Sequence, residues 1–315
     1  MERCLYDPDG GYYTSGREVF GPKGDYYTSA DTHPMFVELL ARSFGSLLDG
    51  LAQQPLTLVE LGPGRAFLGR QALSCLSRIR PKLANRLQYA PVEVNRGAMP
   101  PSFHGIVFSN EFFDALPVRR FRAEKSGARE LLVEVGDKIR EIEGGPADSR
   151  ALDYLTTGFQ RLRLGWVYEV NLRMIEWLEE LNRRLESGYV VTIDYGFLAP
   201  EYERVERPAG TLLSYYRHEV VDDPFVRPGE QDITAHVNFE VMIRTTNRLG
   251  WQSESLVSQR DFLARWGLEE ALAREEASPK PFDAARVQEL LGLKELLRPG
   301  GISDTMRVLV QQVIH

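Results

Sequence analysis

A glycine-rich turn in the first third of the sequence is the first feature that could carry chemistry. Glu60 is the penultimate residue of the apolar run Leu56 to Leu61, Gly62-Pro63-Gly64 follows at once, and an amphipathic segment begins near Phe67. This order predicts a strand, a tight turn and a helix. Glycines let a ligand approach the backbone closely, and the N-terminus of the next helix favours a carboxylate or a phosphate. Any tight strand-to-helix turn also selects glycine, so the turn alone has low specificity.

The residues around this turn narrow the class of ligand. A dinucleotide fingerprint needs a third glycine further on, and Gly69 does not lie at that spacing. The acidic Glu60 directly before the glycines favours a methyl-donor site instead. Glu93 follows the next predicted strand, where a carboxylate can accept hydrogen bonds from two ribose hydroxyls. A glutamate at a strand end can also be simply solvated, and that alternative stays open.

A third segment, Ser109 to Asp114, combines acids, an amide and aromatic rings. Asn110, Glu111 and Asp114 follow a predicted strand, and the phenylalanines between them can shield a cationic site from water. Carboxylates placed there can orient a nucleophile that is rich in hydrogen-bond donors, or accept its proton. The alternative is a helix N-terminus at which acids are favoured by the helix dipole.

Two later segments contribute further candidates. Asp194 ends a buried predicted strand and is expected to border the same cleft. His236 follows Asp232-Ile233-Thr234-Ala235 and could act as a base, although an isolated histidine in such a loop is more often a capping or packing group. Asp232 could equally be a helix N-cap.

Strands and helices alternate along the chain and position these residues. We expect an α/β, Rossmann-like fold with a mainly parallel seven-stranded sheet flanked by helices. Residues 131–142 predict a β-hairpin with a Gly136-Asp137 turn. Gly188 is expected to end the helix that precedes the strand from Tyr189. The stretch from Tyr6 to Tyr27 predicts loops, either a surface arm or a lid.

The predicted organisation has an N-terminal arm and helix (1–50) over the cofactor site and a catalytic domain (51–315). A substrate or partner module is expected as an insertion at about 119–165. The 315 residues carry a net charge of −7, which argues against nucleic acid as a partner. Two cysteines, no secretory leader and no apolar run of membrane-spanning length favour a cytoplasmic protein without a membrane span. No metal-ligand cluster is apparent, and a homodimer stays open.

The motifs together resemble those of the MidA-type family of S-adenosylmethionine-dependent methyltransferases, whose mitochondrial members assist assembly of respiratory complex I. The matching segments occur in the family's order and cover nearly the whole chain: Leu5-Tyr6-Asp7-Pro8, Gly11-Tyr12-Tyr13, Gly24-Asp25-Tyr26-Tyr27-Thr28, Pro34-Met35-Phe36, Glu60 to Arg65, Asn110 to Pro117, Asp194-Tyr195-Gly196 and Gly229 to Val237. Departures include Ala66, where the family commonly has a third glycine, and Pro91 within the second strand.

The resemblance implies S-adenosylmethionine as cofactor and, for the mitochondrial members, methylation of a protein arginine. Some relatives act on small carboxylic acids instead. The residues assigned to cofactor binding are Thr28, Glu60, Gly62, Pro63, Gly64, Glu93, Asn110 and Glu111.

The side chains expected to be catalytic depend on the chemical group that accepts the methyl group. A guanidinium acceptor needs carboxylates, for which Glu111, Asp114 and Glu169 are the candidates, although Glu169 could merely begin a helix. A carboxylate acceptor needs a cation or a histidine instead, such as His236 with Arg217. Two rival functions are a non-catalytic assembly factor that binds its partner through the hairpin, and a nicotinamide oxidoreductase.

Overall fold

The computed structural model describes residues 1–16, 33–53, 55–64, 67–93, 98–217, 219–279, 281 and 283–314. Its helices are α1 Glu2–Tyr6, α2 Pro34–Asp49, α3 Phe67–Ile79, α4 Pro81–Ala84, α5 Ser149–Gly158, α6 Leu172–Arg184, α7 Ala199–Arg204, α8 Phe239–Arg248, α9 Gln259–Arg265, α10 Leu268–Glu276, α11 Ala284–Leu297 and α12 Ile302–Thr305. Its strands are β1 Leu56–Leu61, β2 Leu87–Val92, β3 Phe103–Asn110, β4 Arg119–Glu124, β5 Gly127–Val135, β6 Ile139–Pro146, β7 Val167–Val170, β8 Leu185–Phe197, β9 Leu213–Tyr216, β10 Glu219–Val221, β11 Asp232–Thr234, β12 Val237–Asn238, β13 Gln252–Ser258 and β14 Met306–Ile314.

The chain divides into two compact units, and the path of the backbone alternates between them. The first unit comprises 1–26, 113–179 and 196–248, and the second comprises 27–112, 180–195 and 249–315. The domain boundaries expected from the sequence stay predictions: an arm (1–50), a catalytic domain (51–315) and an inserted module (119–165).

The second unit is built around six strands of the large sheet, in the order β13-β14-β8-β3-β1-β2. The seventh strand, β12, lies in the first unit, where it pairs with the last two residues of β8. Pairs among β8, β3, β1 and β2 are parallel, whereas β14 runs antiparallel to β8 and to β13. The expected seven-stranded α/β sheet is therefore confirmed. Because β2 and β3 lie on opposite sides of β1, the strand order reverses there, which is where ligands bind in such sheets.

The core of this unit follows from its strand sequences. Every residue of β1 is buried, as expected for a parallel strand that is covered by helices on both faces. Helix α2 begins at Pro34, directly after His33, whose Nδ1 accepts a hydrogen bond from the backbone N–H of Met35 (3.0 Å). Its apolar side buries residues such as Phe36, Leu40 and Phe44 in the same core. Pro91 is tolerated in β2 because that strand lies at the edge of the sheet.

The expectation that Gly188 ends a helix is wrong. Helix α6 ends at Arg184, and Gly188 lies inside β8, where it pairs with Gly105 of β3. Both glycines have positive φ (146° and 145°), and a Cβ on Gly188 would lie 1.9 Å from the carbonyl oxygen of Gly105. Glycine is required at this position by close approach of two strands, and not by helix termination.

The first unit contains two small sheets. One has the order β6-β5-β4-β7 and includes the predicted hairpin, confirmed as β5 and β6 in antiparallel register. The other has the order β10-β9-β11 and is also antiparallel. Because β7 spans Val167–Val170, the larger of these sheets continues beyond residue 165.

The N-terminal segment of the first unit is a short helix followed by the predicted loop, in which residues 7–16 form turns. Helix α1 ends at Tyr6, whose ring stacks on that of Tyr13 with centroids 5.5 Å apart. The hydroxyl of Tyr13 donates to Asp232 Oδ1 (2.8 Å), and that of Tyr6 donates to the carbonyl of Ala115 (3.0 Å). The rest of the predicted loop, from residue 17, lies outside the described residues. Within the described part of the chain, no helix combines the length and apolar character needed to cross a membrane.

Candidate functional site

The turn after β1 requires glycine at two positions. Gly62 has φ 64° and Gly64 has φ 52°, in the left-handed region that disfavours other residues. A Cβ on Gly62 would lie 2.7 Å from the ring of Phe112. The backbone N–H of Gly62 donates to the carbonyl of Val92 (2.9 Å), which fixes the turn against the end of β2. The turn therefore places backbone atoms without covering side chains at the point where the strand order reverses.

Glu93 lies beside this turn. Its Oε1 accepts a hydrogen bond from the backbone N–H of Gly64 (2.7 Å). The side chain is therefore held at the carboxyl ends of β1 and β2, where the sequence predicts a ribose contact.

Glu60 points into the protein. Its Oε2 accepts hydrogen bonds from the backbone N–H of Gly69 (3.1 Å) and from the hydroxyl of Tyr89. Burial raises the pKa of this carboxyl group to about 7, against the lowering effect of those two hydrogen bonds. Glu60 thus links β1 to α3 and to β2 through these two hydrogen bonds. Its assignment to cofactor binding stays a prediction.

Glu111 has an unusual backbone. It is one of two non-glycine residues with positive φ in the described chain, at 54°, directly after β3. Its N–H donates to the carbonyl of Ile193 (2.9 Å), and its Oε1 accepts from Asn110 Nδ2 (3.0 Å). Strain of this kind, worth about 1–3 kcal/mol, persists where surrounding contacts impose it and is common at functional sites.

Asp194 lies near the end of β8 and hydrogen-bonds to the backbone of β8 and of the residues that follow β3. It is fully buried, and its carboxylate accepts from the N–H groups of Phe112 (3.2 Å) and Tyr195 (2.9 Å). Asp194 thus positions the backbone next to Glu111, and the expectation that it borders the cleft stays a prediction.

Asp114 and its neighbours belong to the first unit. Asp114 is buried, and its backbone carbonyl accepts from the N–H of Ala235 (2.9 Å). Asn171, which the sequence analysis did not single out, donates through Nδ2 to the carbonyl of Phe113 (2.9 Å) and caps α6 by accepting from Met174 N–H (2.9 Å). Asn171 therefore joins the Asn110 to Pro117 motif to a helix 58 residues away.

Glu169 is a buried carboxylate in the same unit. Its Oε2 accepts from the backbone N–H (2.9 Å) and the hydroxyl (3.1 Å) of Thr211, and its Oε1 lies 3.6 Å from Nε of Arg120. Burial raises its pKa, against the lowering effect of these partners. A Cβ on Gly210, which has φ 87°, would lie 2.0 Å from Glu169 Oε1. The alternative that Glu169 begins a helix is wrong, since it lies in β7.

His236 follows β11 and is half-buried. Burial, with a smaller contribution from the cation of Arg207, lowers the pKa of its imidazole to about 4. Its backbone N–H donates to the hydroxyl oxygen of Thr211 (3.1 Å), the same hydroxyl that donates to Glu169. The side chain is therefore neutral at pH 7 and a weak base. Asp232 starts β11 and is not a helix N-cap, which excludes that alternative.

The structure thus separates the candidates by unit. Glu60, Gly62, Pro63, Gly64, Glu93, Asn110 and Glu111 lie at or beside the carboxyl ends of three neighbouring strands of the second unit. Asp114, Glu169 and His236 belong to the first unit. Thr28 and Ala66 fall outside the described residues. In the described part of the chain, no three His, Cys, Asp or Glu side chains are grouped so as to hold a metal ion.

Comparison with known proteins identifies relatives of the chain. A family model described as "Putative S-adenosyl-L-methionine-dependent methyltransferase" matches residues 96–257. The mouse protein named "Protein arginine methyltransferase NDUFAF7, mitochondrial" is 26% identical, over 94% of this chain and 76% of its own length. The human protein of the same name is 26% identical over 95% of this chain and 76% of its length.

Solved structures agree with this grouping. A Burkholderia thailandensis protein, solved bound to S-adenosyl-homocysteine, superposes with a TM-score of 0.83 at 27% identity and covers 99% of this chain and 86% of its own. A native structure from the same organism gives a TM-score of 0.75 at 27% identity, with the same coverage. The expectation of a cytoplasmic protein is wrong, because the curated relatives from mouse, fruit fly and human are named as mitochondrial proteins.

Proposed function

The chain belongs to the family of S-adenosyl-L-methionine-dependent methyltransferases, and on this premise we propose that it methylates arginine side chains of a protein. The names of the curated relatives support this acceptor. The chain spans about three quarters of the length of the mouse and human relatives.

The residues at the strand ends fit the cofactor. The two glycines with positive φ expose backbone where a Cβ at Gly62 would collide with Phe112. Glu93 presents a carboxylate beside that turn, which suits two ribose hydroxyls. When bound, S-adenosylmethionine supplies an activated methyl group. Gly62, Pro63, Gly64 and Glu93 would hold it, with Asn110 and Glu111 at the end of the neighbouring strand.

The observation that carries the proposed acceptor is the strained backbone of Glu111 beside Asn110. A guanidinium keeps its charge at a pKa above about 12 and offers only hydrogen-bond donors, so a site for it must supply carboxylates. Glu111 supplies one at the end of β3. We assign it to binding and orienting the acceptor guanidinium and to drawing charge away from the attacking nitrogen.

Asp114 and Glu169 are the further carboxylates of the proposal. Thr211 and Arg120 hold Glu169 in one position, and the chain geometry holds Asp114 beside Ala235. His236 is neutral at pH 7, so it can accept or donate a hydrogen bond. It carries no charge that would attract a carboxylate as the methyl acceptor. Acids therefore outnumber cations among the proposed catalytic residues, which disfavours a small carboxylic acid as the acceptor.

Methyl transfer to arginine tests the proposal. The protein is incubated with S-adenosylmethionine carrying a labelled methyl group and with arginine-containing proteins and peptides, and labelled methylarginine is measured after hydrolysis. We expect product with the unchanged protein and a loss of at least about a hundredfold in Glu111→Gln. Glu254→Gln, an exposed acid in β13, is the matched control. Labelling of carboxyl groups instead, or undiminished transfer by Glu111→Gln, would contradict the proposal.

A further inference from the structure

The β5–β6 hairpin of the first unit ends in an open sheet edge. Strand β6 (Ile139–Pro146) is eight residues long, and within the described residues it pairs with β5 alone. Its residues 139–143 form an uninterrupted ladder with β5. On the side away from β5, the backbone of these residues therefore presents a row of donors and acceptors, which is a template for a further strand.

The other edge strands in the described part of the chain carry features that protect an edge. Strands β7, β10, β11 and β12 are only two to four residues long. Strand β2 contains Pro91, and the register of β13 with β14 is irregular between Ser253 and Ser255. Short strands, proline and bulges each hinder the addition of a strand. Residues 139–143 of β6 have none of these three features, so this edge is suited to accept one.

Apolar side chains are exposed on both faces of the same hairpin. Leu132 pairs with Ile142, so the two share one face, whereas Val133 and Val135 lie on the other face. Leu132, Val133 and Val135 keep 44%, 51% and 73% of their surface exposed. A contiguous exposed apolar group of this kind is typical of an interaction site.

The charges of β6 disfavour a second copy of the chain at this edge. Opposite residues of antiparallel strands share a face, so in a two-fold pair one residue lies opposite its own copy. A register centred on Arg140, Glu141 or Glu143 places that charge opposite itself, and one centred on Ile142 places Glu141 opposite Glu143. Like charges directly opposite one another destabilise paired strands. The edge therefore favours a different chain.

The same charges define the chemistry of that chain. Glu143 keeps 59% of its side chain exposed, with Nη1 of Arg122 3.5 Å away. Arg140 keeps 68% of its side chain exposed and contacts Glu134 at 2.6 Å. A cation opposite Glu143 and an anion opposite Arg140 would each add an opposite-charge pair across the two strands.

We propose that β6 binds an extended segment of a partner protein as an added antiparallel strand. The segment has a basic residue opposite Glu143, an apolar residue opposite Ile142 and an acidic residue opposite Arg140. An antiparallel segment runs past β6 from Glu143 to Ile139, so its pattern is basic, apolar, any residue, acidic, apolar. The inference does not depend on the proposed arginine acceptor.

Fluorescence anisotropy with two labelled peptides tests this pattern. One peptide contains Lys-Val-Thr-Glu-Val between flanking serines, and the matched peptide contains Glu-Val-Thr-Lys-Val, with the same composition. We expect the first peptide to bind the unchanged protein about tenfold more tightly, a difference near 1.4 kcal/mol. Equal affinities, tighter binding of the second peptide, or no binding of either would overturn the proposal.

Reversal of the two charges on the protein is the second arm of the test. The double variant Arg140→Glu with Glu143→Lys is expected to invert the preference, so that Glu-Val-Thr-Lys-Val binds about tenfold more tightly. Both side chains are exposed, so we expect the melting temperature to change little. Glu254→Lys, an exposed acid of β13, is the matched control and should keep the original preference. An unchanged preference in the double variant would place the peptide elsewhere and overturn the proposal.

Hydrogen exchange on the unchanged protein separates strand addition from contact through side chains alone. An added strand accepts hydrogen bonds from the outward-facing N–H groups of residues 139–143, so we expect their exchange to slow at least about tenfold with saturating Lys-Val-Thr-Glu-Val peptide. Exchange in β2 and β13 should not change. Unslowed exchange in β6 would contradict strand addition. Slow exchange there without peptide, in a protein that sediments as a dimer, would assign the edge to a second copy and also overturn the proposal.

Discussion

The backbone N–H of Gly64 donates to Oε1 of Glu93 across 2.7 Å, which joins the turn after β1 to the residue that follows β2. The glycine turn and the carboxylate after β2, which are predicted as two parts of one ligand site, are therefore in direct contact. A ligand that binds the glycine turn meets the Glu93 carboxylate at the same place.

Glu93→Ala tests the role of this carboxylate. Hydrogen bonds to a charged group contribute about 1.5–3 kcal/mol, so we expect the affinity for S-adenosylhomocysteine to fall by about tenfold to a hundredfold. Calorimetric titration measures the change, with Glu254→Ala as the control. Unchanged affinity in Glu93→Ala would remove Glu93 from the proposed cofactor site.

Gly62→Ala tests the requirement for glycine in the turn. The added Cβ would lie 2.7 Å from the Phe112 ring, at a φ of 64° that disfavours alanine. We expect the free energy of unfolding to fall by about 1–3 kcal/mol, measured by urea denaturation. Gly50→Ala in the same unit is the control, because φ there is −77° and the nearest atom would be 3.8 Å away. Equal effects in both variants would refute the argument from turn geometry.

Glu60 makes the stability of the protein depend on pH. Its pKa is about 7 in the folded protein and 4.5 as an unperturbed group, so the folded state binds the proton more tightly. The contribution of Glu60 to the free energy of unfolding is complete below pH 4.5 and is lost as the pH rises to above 7. We expect Glu60→Gln to flatten the fall in stability across this range. Parallel slopes for the two proteins, from urea denaturation at several pH values, would exclude Glu60 as the cause.

Thr211→Val removes one hydroxyl from the buried network. That hydroxyl donates to Glu169 Oε2 (3.1 Å) and accepts from the backbone N–H of His236 (3.1 Å). Because two buried polar groups lose a partner, we expect the free energy of unfolding to fall by about 1–3 kcal/mol. Methyl transfer is expected to fall more than cofactor affinity. Thr156→Val, on the exposed side of α5, should change neither quantity; a similar loss there would assign the effect to the substitution itself.

Local patterns were sufficient to predict much of the second unit and one hairpin of the first unit. The apolar run of β1, the glycine turn and the periodicity of α3 each specify their structure from neighbouring residues, and the β5–β6 hairpin is specified by its turn. The orientation of Glu60 could not be predicted in this way, because it depends on Tyr89, which is 29 residues away.

Other parts of the site depend on still more distant contacts. Asn171 and Thr211 carry no motif of their own, and their importance comes only from the groups they contact, Phe113 and Glu169. The sequence predicts a helix end at Gly188 because a glycine after a helical pattern usually ends the helix. The actual reason is Gly105 on the neighbouring strand, which a single sequence does not reveal.

The position of β14 in the large sheet has a consequence for synthesis of the chain on the ribosome. This strand is later in the sequence than every other strand of the sheet, yet it lies between β8 and β13. Until residues 306–314 have emerged, the hydrogen-bonding edge of β8 lacks its partner and β13 has no neighbour in the sheet. An unpaired edge of this kind is a site for misassembly with other nascent chains. Completion of this unit therefore waits for the synthesis of β14, and chaperone capture of stalled chains is expected to concentrate on the exposed edge of β8.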